Sequence, residues 1–550
     1  MRSARQGDFE GNTVAGNLVD VINGAVYPAE MEIRGGRIAR IRKTSGRYGN
    51  FIIPPLVDAH VHIESSMLVP AEFARRALVH GTVAAVSDPH EIANVLGAEG
   101  VDYMIENGGA VPFKFCFGAP SSVPATMFET SGAALGPGET DALLKREDIG
   151  FLSEVMNFPG VITGEKQIQE KIGAALKYGK PVDGHAPGLS GEALGKYIRA
   201  GATTDHETTS AAEGAEKIRA GMKVLIREGS AARNFDALID LIDLHPESIM
   251  FATDDLHPDD LVKGHINLIV KRAIAMGKDR MSVLRAASLN PVRHYRLQAG
   301  LLREGDFADY VMIDNFEDFN ILRTCVNGKP VAEAGKALIR PARARAINNF
   351  GAKRKRPSDF ALKIAGRRLK VIVAEDGQIV TGSLLVKPKA ANRFAVSDTA
   401  RDILKIAVIN RYEDRPPAVS FIKNFGLKKG AIAASVSHDS HNIIAVGVSD
   451  AEMAGAVNAV IENRGGLAAF SDEGAMVLPL PVAGLMSDED ALKVAGDYSK
   501  IDRLAKGFGS GLRAPFMTLS FMGLLVIPGL KLSDKGLFDS EKFEFTPPFE

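Results

Sequence analysis

The chain has 550 residues, 45 % of them hydrophobic and 24 % charged, with a formal net charge of −1. That length and apolar content suit roughly two to four soluble domains, and the charge balance gives no basic field pointing to nucleic acid or an anionic membrane. Only Cys116 and Cys325 are present, which excludes a disulfide framework and any multi-cysteine zinc module and predicts a reducing, cytoplasmic setting.

The start, Met1–Asp8, lacks the apolar stretch of a secretory signal. From Leu18 to Lys43 apolar and polar residues alternate and turn at Arg34-Gly35-Gly36-Arg37, a β-hairpin pattern. A matching piece returns at Gly305–Asp314, with a second hairpin turn at Asn327-Gly328-Lys329. The two flanks predict one small composite β-domain from residues 1–50 and 301–345, with a larger domain, residues 51–300, inserted between them.

The insert repeats a unit of short apolar strand, polar or glycine-rich loop and helical segment. The predicted strands are Leu56–His62, Thr82–Ser87, Phe113–Phe117, Gly150–Val155, Pro181–His185, Ala202–His206, Lys223–Ile226 and Ser248–Asp254. Predicted helices include Pro70–His80, Gln167–Gly179, Gly191–Ala200 and Phe235–Leu244. This is the rhythm of an α/β fold of the (β/α)8 TIM-barrel type. A doubly wound open sheet is the alternative, but no Gly-x-Gly-x-x-Gly follows the early strands. After Pro341 the chain turns basic at Lys353-Arg354-Lys355-Arg356-Pro357, which reads as a solvated linker. Residues 346–550 predict a separate C-terminal α/β or α+β domain. Its helix is capped by Ser449-Asp450 and runs to about Asn463, where Gly465-Gly466 stops it. The longest apolar run, Phe516 to Ile527, is interrupted by Thr518, Ser520 and Gly523 and is shorter than a membrane span.

Strand side chains alternate faces, so His60 and His62 project together from the end of the first strand. In a closed parallel barrel the active site lies at the C-terminal strand ends. There stand also Glu154 on the fourth strand, His185 on the fifth, His206 on the sixth and Asp254 on the eighth. Each alone reads equally as a core histidine, a turn or a loop cap; their recurrence at matching ends marks them as a set. Four imidazoles and two carboxylates without a thiolate suit Zn, Mn or Fe(II). They suffice for two ions, with Glu154 as the natural bridge. Paired ions about 3.5–4 Å apart lower the pKa of a shared water to roughly 7, and Asp254 is placed to pass its proton to a leaving group. The expected reaction is metal-assisted hydrolysis of a C–N bond or related centre.

Two further stretches reach the same rim. Ser87-Asp88-Pro89-His90-Glu91 places Asp88, His90 and Glu91 there, and Arg227 and Ser230 follow the seventh strand. A structural turn and a helix start explain them equally well. Ser437-His438-Asp439-Ser440-His441-Asn442 reads in three ways: a third metal cluster, a lid over the barrel mouth, or a polar strand entry.

The histidine pattern resembles the amidohydrolase superfamily. More narrowly, Asp58–Met67, Asp88–Ile92, Glu154–Val161, Asp183-Gly184-His185 and Arg227–Asn234 resemble the bacterial and archaeal adenine deaminase family. The likeness continues through Val436–Asn442, Leu478–Pro481 and Gly536–Asp539, so it spans nearly the whole chain. One departure is Pro54-Pro55-Leu56, where the family usually has Pro-Gly and an apolar residue. The resemblance implies hydrolysis of adenine to hypoxanthine and ammonia in purine salvage. It implies two divalent ions, Mn or Fe before Zn, held by His60, His62, Glu154, His185, His206 and Asp254. Asp254, Glu91 and His206 would be catalytic, with Asp254 as proton shuttle and Glu91 as proton donor to the ring. Asp88, Glu91, Arg227 and Ser230 would meet the substrate. The expected partner is a small purine, with neither nucleic acid nor membrane, on a homodimer. The single-zinc base deaminases need a Pro-Cys-x-x-Cys motif that this chain lacks. A cyclic amidase of the hydantoinase or dihydroorotase kind usually has a carboxylated lysine where Glu154 stands. A non-catalytic scaffold typically loses metal ligands, and none of the set is missing here.

Overall fold

Eight parallel strands close on themselves to form the central barrel. They are β1 (Leu56–Val61), β2 (Thr82–Ser87), β3 (Lys114–Ala119), β4 (Ile149–Val155), β5 (Val182–Gly184), β6 (Thr204–Asp205), β7 (Lys223–Arg227) and β8 (Ile249–Ala252). The computed structural model describes residues 12–230 and 232–550; Met1–Asp8 and Ala231 lie outside the described residues. Strands β1 to β5 pair in sequence, as do β6 to β8. A parallel bridge between Val182 and Ala202 joins the two groups, and one between Val61 and Asp254 closes the ring. At that seam the His62 N–H donates to the Asp254 carbonyl (3.2 Å) and the Asp254 N–H to the His60 carbonyl (2.9 Å). Strands such as Thr82–Ser87 are buried throughout, because helices cover the sheet outside and side chains fill it inside. Helix Pro70–Val79 illustrates the cover: proline opens it, and Phe73, Ala74, Ala77 and Leu78 turn one apolar face inward.

The expected barrel is present, with shifted element ends. The sixth strand shrinks from the predicted 202–206 to Thr204–Asp205. Here side chains replace ladder bonds: Thr204 Oγ1 accepts the Gly184 N–H (3.2 Å) and Asp205 Oδ1 accepts the Ala186 N–H (2.8 Å). Gly184 is required at this pinch, since a Cβ would sit 2.3 Å from the Thr204 carbonyl oxygen. The single helix predicted over 235–244 splits into Phe235–Leu238 and Leu241–Leu244. Between them the bonding tightens to i→i+3, from Ile242 to Ile239 and from Asp243 to Asp240.

Strands from both flanks of the barrel form one eight-stranded sheet. Its order is Lys336–Ala337, Lys329–Glu333, Ile321–Val326, Tyr310–Ile313, Phe51–Ile53, Asn12–Asp20, Ala25–Arg34 and Arg37–Lys43. Phe51–Ile53 is the junction, with Ile52 opposite Leu18 on one side and Met312 on the other. Both hairpin turns use left-handed residues, Gly35 and Gly36 (φ 57° and 78°) and Asn327 and Gly328 (φ 49° and 75°), as two-residue hairpins favour.

The C-terminal part is α+β. A second eight-stranded sheet, Gly382–Val386 at one edge and Gly474–Pro479 at the other, packs against helix Asp450–Glu462. The Ser449 side chain caps that helix by accepting the Glu452 N–H. The basic stretch before it is only partly a solvated linker. Lys355 is buried, its ammonium on Asp414 (2.7 Å) and the Arg415 carbonyl (3.0 Å). This domain seats on the barrel through a continuous apolar core and specific bonds. The Ser487 N–H donates to the Met67 carbonyl (2.8 Å), and the Thr130 N–H to Asp534 (2.9 Å). Among the described residues no helix is long and apolar enough to cross a membrane.

Candidate active site

The site is built at the C-terminal rim of the barrel, beginning with strand β1. Alternation brings His60 and His62 together, with their Nε2 atoms 3.2 Å apart. Asp58, two residues earlier, accepts the Thr253 N–H (3.0 Å) and hydroxyl, so the seam beneath the histidines is tied to β8. His62 Nδ1 lies 3.2 Å from the Asp88 carbonyl; a carbonyl only accepts, so Nδ1 carries the proton and Nε2 is bare.

The other members converge on this pair. Glu154 places Oε1 3.5 Å from His62 Nε2 and Oε2 2.6 Å from His185 Nδ1 and 3.0 Å from His206 Nε2. Asp254 Oδ1 lies 3.3 Å from His62 Nε2 and 3.6 Å from His60 Nε2. The His60 and His206 rings stack at 4.1 Å. Two triads result: the ligand atoms of His60, His62 and Asp254 all lie within 4.8 Å of one another, as do those of His60, Glu154 and His206. All six expected ligands therefore meet at one mouth, with Glu154 facing both halves. The bare His62 Nε2 faces His60 Nε2 at 3.2 Å and Asp254 Oδ1 at 3.3 Å, lone pairs that repel unless a cation lies among them, so the donor set fits divalent ions with N/O preference.

Electrostatics follow from this crowding. Burial pushes the Glu154 pKa up, but the His185 and His206 imidazoles outweigh it and hold the group well below the usual carboxylate range. For Asp254 burial again opposes, and the Arg227 guanidinium prevails, keeping it well below its ordinary value. His185 goes the other way. Against burial, Glu154 and Glu207 raise it to about 9.

Other expected contacts are placed differently. Arg227 is buried with both ends engaged. Its Nη1 donates to Asp254 Oδ2 and to Glu207 Oε1 (2.5 Å), and its Nη2 to Glu207 Oε2 (2.9 Å). Ser230 does not line the pocket. Its hydroxyl donates to Asp260 (2.7 Å) and accepts the His257 N–H (2.9 Å), which fixes the loop after β7. Asp88 lies behind the wall, with Oδ2 3.1 Å from His90 Nδ1, while His90 and Glu91 form the wall itself. Glu207 is a carboxylate the sequence reading missed; it follows His206 directly, and its neighbour was the available signal.

The stretch Ser437–Asn442 enters the barrel mouth. His438 and Asp439 line the pocket with Ile379, Phe521, Leu524 and Ile527, all from the C-terminal domain. That position matches the lid reading, while Asp439 also groups with His90 and Glu91, their ligand atoms within 4.8 Å of one another, as the metal-cluster reading expects. The cavity left between these side chains is small, about 40 Å³. The barrel lines it with imidazoles and carboxylates, and the C-terminal domain adds His438, Asp439 and four apolar side chains.

A closed barrel carrying this histidine and carboxylate rim defines an amidohydrolase, and the Amidohydrolase family model matches residues 51–331. The model of the adenine deaminase C-terminal domain matches residues 378–544. The adenine deaminase of Salinibacter ruber is 53 % identical over 539 residues, covering 98 % of this chain and 99 % of that protein. That of Sulfurovum sp. is 53 % identical over 530 residues (96 % and 98 %), and that of Methanosarcina barkeri 50 % over 546 residues (98 % and 99 %). The chain belongs to the adenine deaminase family of the amidohydrolases.

Proposed function

We propose that the chain hydrolyses adenine to hypoxanthine and ammonia: water adds at C6 and the bond from C6 to the exocyclic nitrogen breaks. The observation that carries this reading is the composite pocket, a metal-ligating rim from the barrel joined by polar and apolar side chains of the C-terminal domain. Family membership across the whole chain supports it. His60, His62, Glu154, His185, His206 and Asp254 would hold two divalent ions, manganese or iron first and zinc as the alternative. Such ions, when bound, acidify a water molecule and polarise the reacting centre.

The chain's own residues do the rest. Asp254, with one oxygen fixed by Arg227, takes a proton from the attacking water and delivers it to the departing nitrogen. Glu91 faces the purine edge, with Asp88 supporting His90 beside it. Phe521, Leu524 and Ile527 cover the ring and exclude bulk water. Residues 1–50 with 301–345, 51–300 and 346–550 would be the three domains, the first held together by the shared sheet. A homodimer working in the cytoplasm in purine salvage completes the reading.

The test is ammonia release from adenine, adenosine, cytosine and dihydroorotate, each with and without added Mn. Adenine should react fastest and depend on the metal. No release from adenine, or faster turnover of dihydroorotate, would sink the proposal.

A further inference from the structure

Glu91 belongs to the barrel, in the first turn of helix His90–Leu96, yet both its oxygens are engaged by the C-terminal domain. His438 Nδ1 lies 2.5 Å from Oε1, and His441 Nε2 is bonded to Oε2. The tautomer of His441 is determined by its other nitrogen. Nδ1 accepts the Ser437 N–H (3.3 Å), which leaves the ring proton on Nε2, aimed at Glu91. His438 is held flat against Phe521, ring centroids 4.5 Å apart and 14° from parallel.

The segment carrying the two histidines is itself fastened. Buried Arg411 donates to the carbonyls of His441 (3.2 Å) and Ala483 (2.6 Å). Asn442 donates across to the barrel at the Thr130 carbonyl (2.9 Å). His441 has a left-handed backbone, φ 53°, a conformation that a non-glycine residue keeps only where its surroundings impose it.

We propose that His438 and His441 are positioning residues that hold Glu91 as a fixed hydrogen-bond acceptor against the purine, so the active site is complete only with the C-terminal domain seated. The inference rests on Glu91 meeting the substrate. A carboxylate accepting two imidazole N–H bonds has lone pairs left for an N–H on the purine edge and no proton to give. This revises the proton-donor role that the family resemblance implies for Glu91. Burial alone would favour the protonated acid, but His438, His441 and His90 outweigh it and hold Glu91 well below the usual range.

The test uses amide substitutions that keep or misplace each donor in the full-length, Mn-loaded protein. Asn carries its N–H2 where a histidine has Nδ1, and Gln where it has Nε2. His438→Asn and His441→Gln therefore keep the donor, while His438→Gln and His441→Asn misplace it. We expect the misplaced pair to lose about 10- to 100-fold in kcat on adenine, the magnitude of an ångström-scale misplacement, with metal content and KM little changed. The kept pair should retain most activity, and in a Glu91→Gln background no histidine variant should cost more than about 3-fold further. Equal losses in kept and misplaced variants, or losses that multiply with Glu91→Gln, would overturn the proposal. A Glu91→Gln protein with full activity would overturn it at its premise while leaving the deaminase reading intact.

Discussion

The Arg227 guanidinium donates to Oδ2 of Asp254, while Oδ1 of the same carboxylate faces His60 and His62 at 3.6 and 3.3 Å. One oxygen is anchored and the other is left to the chemistry. Asp254 also has a left-handed backbone, φ 58°, which Asp tolerates better than most residues and which turns its side chain into the mouth.

Asp254→Asn keeps the shape and an acceptor but cannot carry a proton. Its kcat for ammonia release from adenine should fall by about 10²–10⁴-fold. Activity near that of the unaltered protein would remove Asp254 from proton transfer.

Arg227→Met removes the cation between Asp254 and Glu207, leaving two buried carboxylates without their partner. Breaking a buried pair in this way costs about 3–5 kcal/mol. Urea unfolding of chelator-treated protein should show the loss, and an unchanged midpoint would mean the pair adds no stability.

Chelation should abolish activity and Mn should restore it. Because ions bind only the assembled rim, they should also stabilise the fold, by about 2.7 kcal/mol at a hundredfold excess over Kd. Glu154→Gln, altering the residue that faces both triads, should reduce metal content per chain. Elemental analysis showing full content would contradict its bridging position.

Acid stability offers a check beside the centre. Asp205, buried against Lys217 at 2.9 Å, has its pKa lowered below 3.8 because Lys217 and His206 outweigh the cost of burial. A depressed carboxylate contributes stability that is fully present above the unfolded pKa of about 4 and lost as pH falls through the folded value. The stability difference between the unaltered protein and Asp205→Asn should therefore be largest near neutrality and shrink below about pH 4. A pH-independent difference in urea unfolding would refute this.

Strand ends were legible because the barrel has one chemical rim and period-two alternation names the residue that faces it. That is why His60, His62, Glu154, His185, His206 and Asp254 were found from widely separated stretches. Residues whose role depends on a distant partner were not legible. Arg227 lines the pocket, but its pairing with Glu207, like that of Ser230 with Asp260, is a proximity no local pattern encodes. Lys355 sat in a basic run, and only the fold shows its burial against Asp414. The lid was visible as two histidines, but not what they hold.

The hydrogen bonds that fasten the last strand to the first run through His60, His62 and Asp254 themselves. Zipping up the cylinder and assembling the reaction machinery are thus a single event. A molecule unfastened along this line keeps all eight strands, joined at seven seams, and none of the chemistry. Loss of turnover on gentle heating would then serve as an early gauge of the cylinder opening, ahead of any global melting signal.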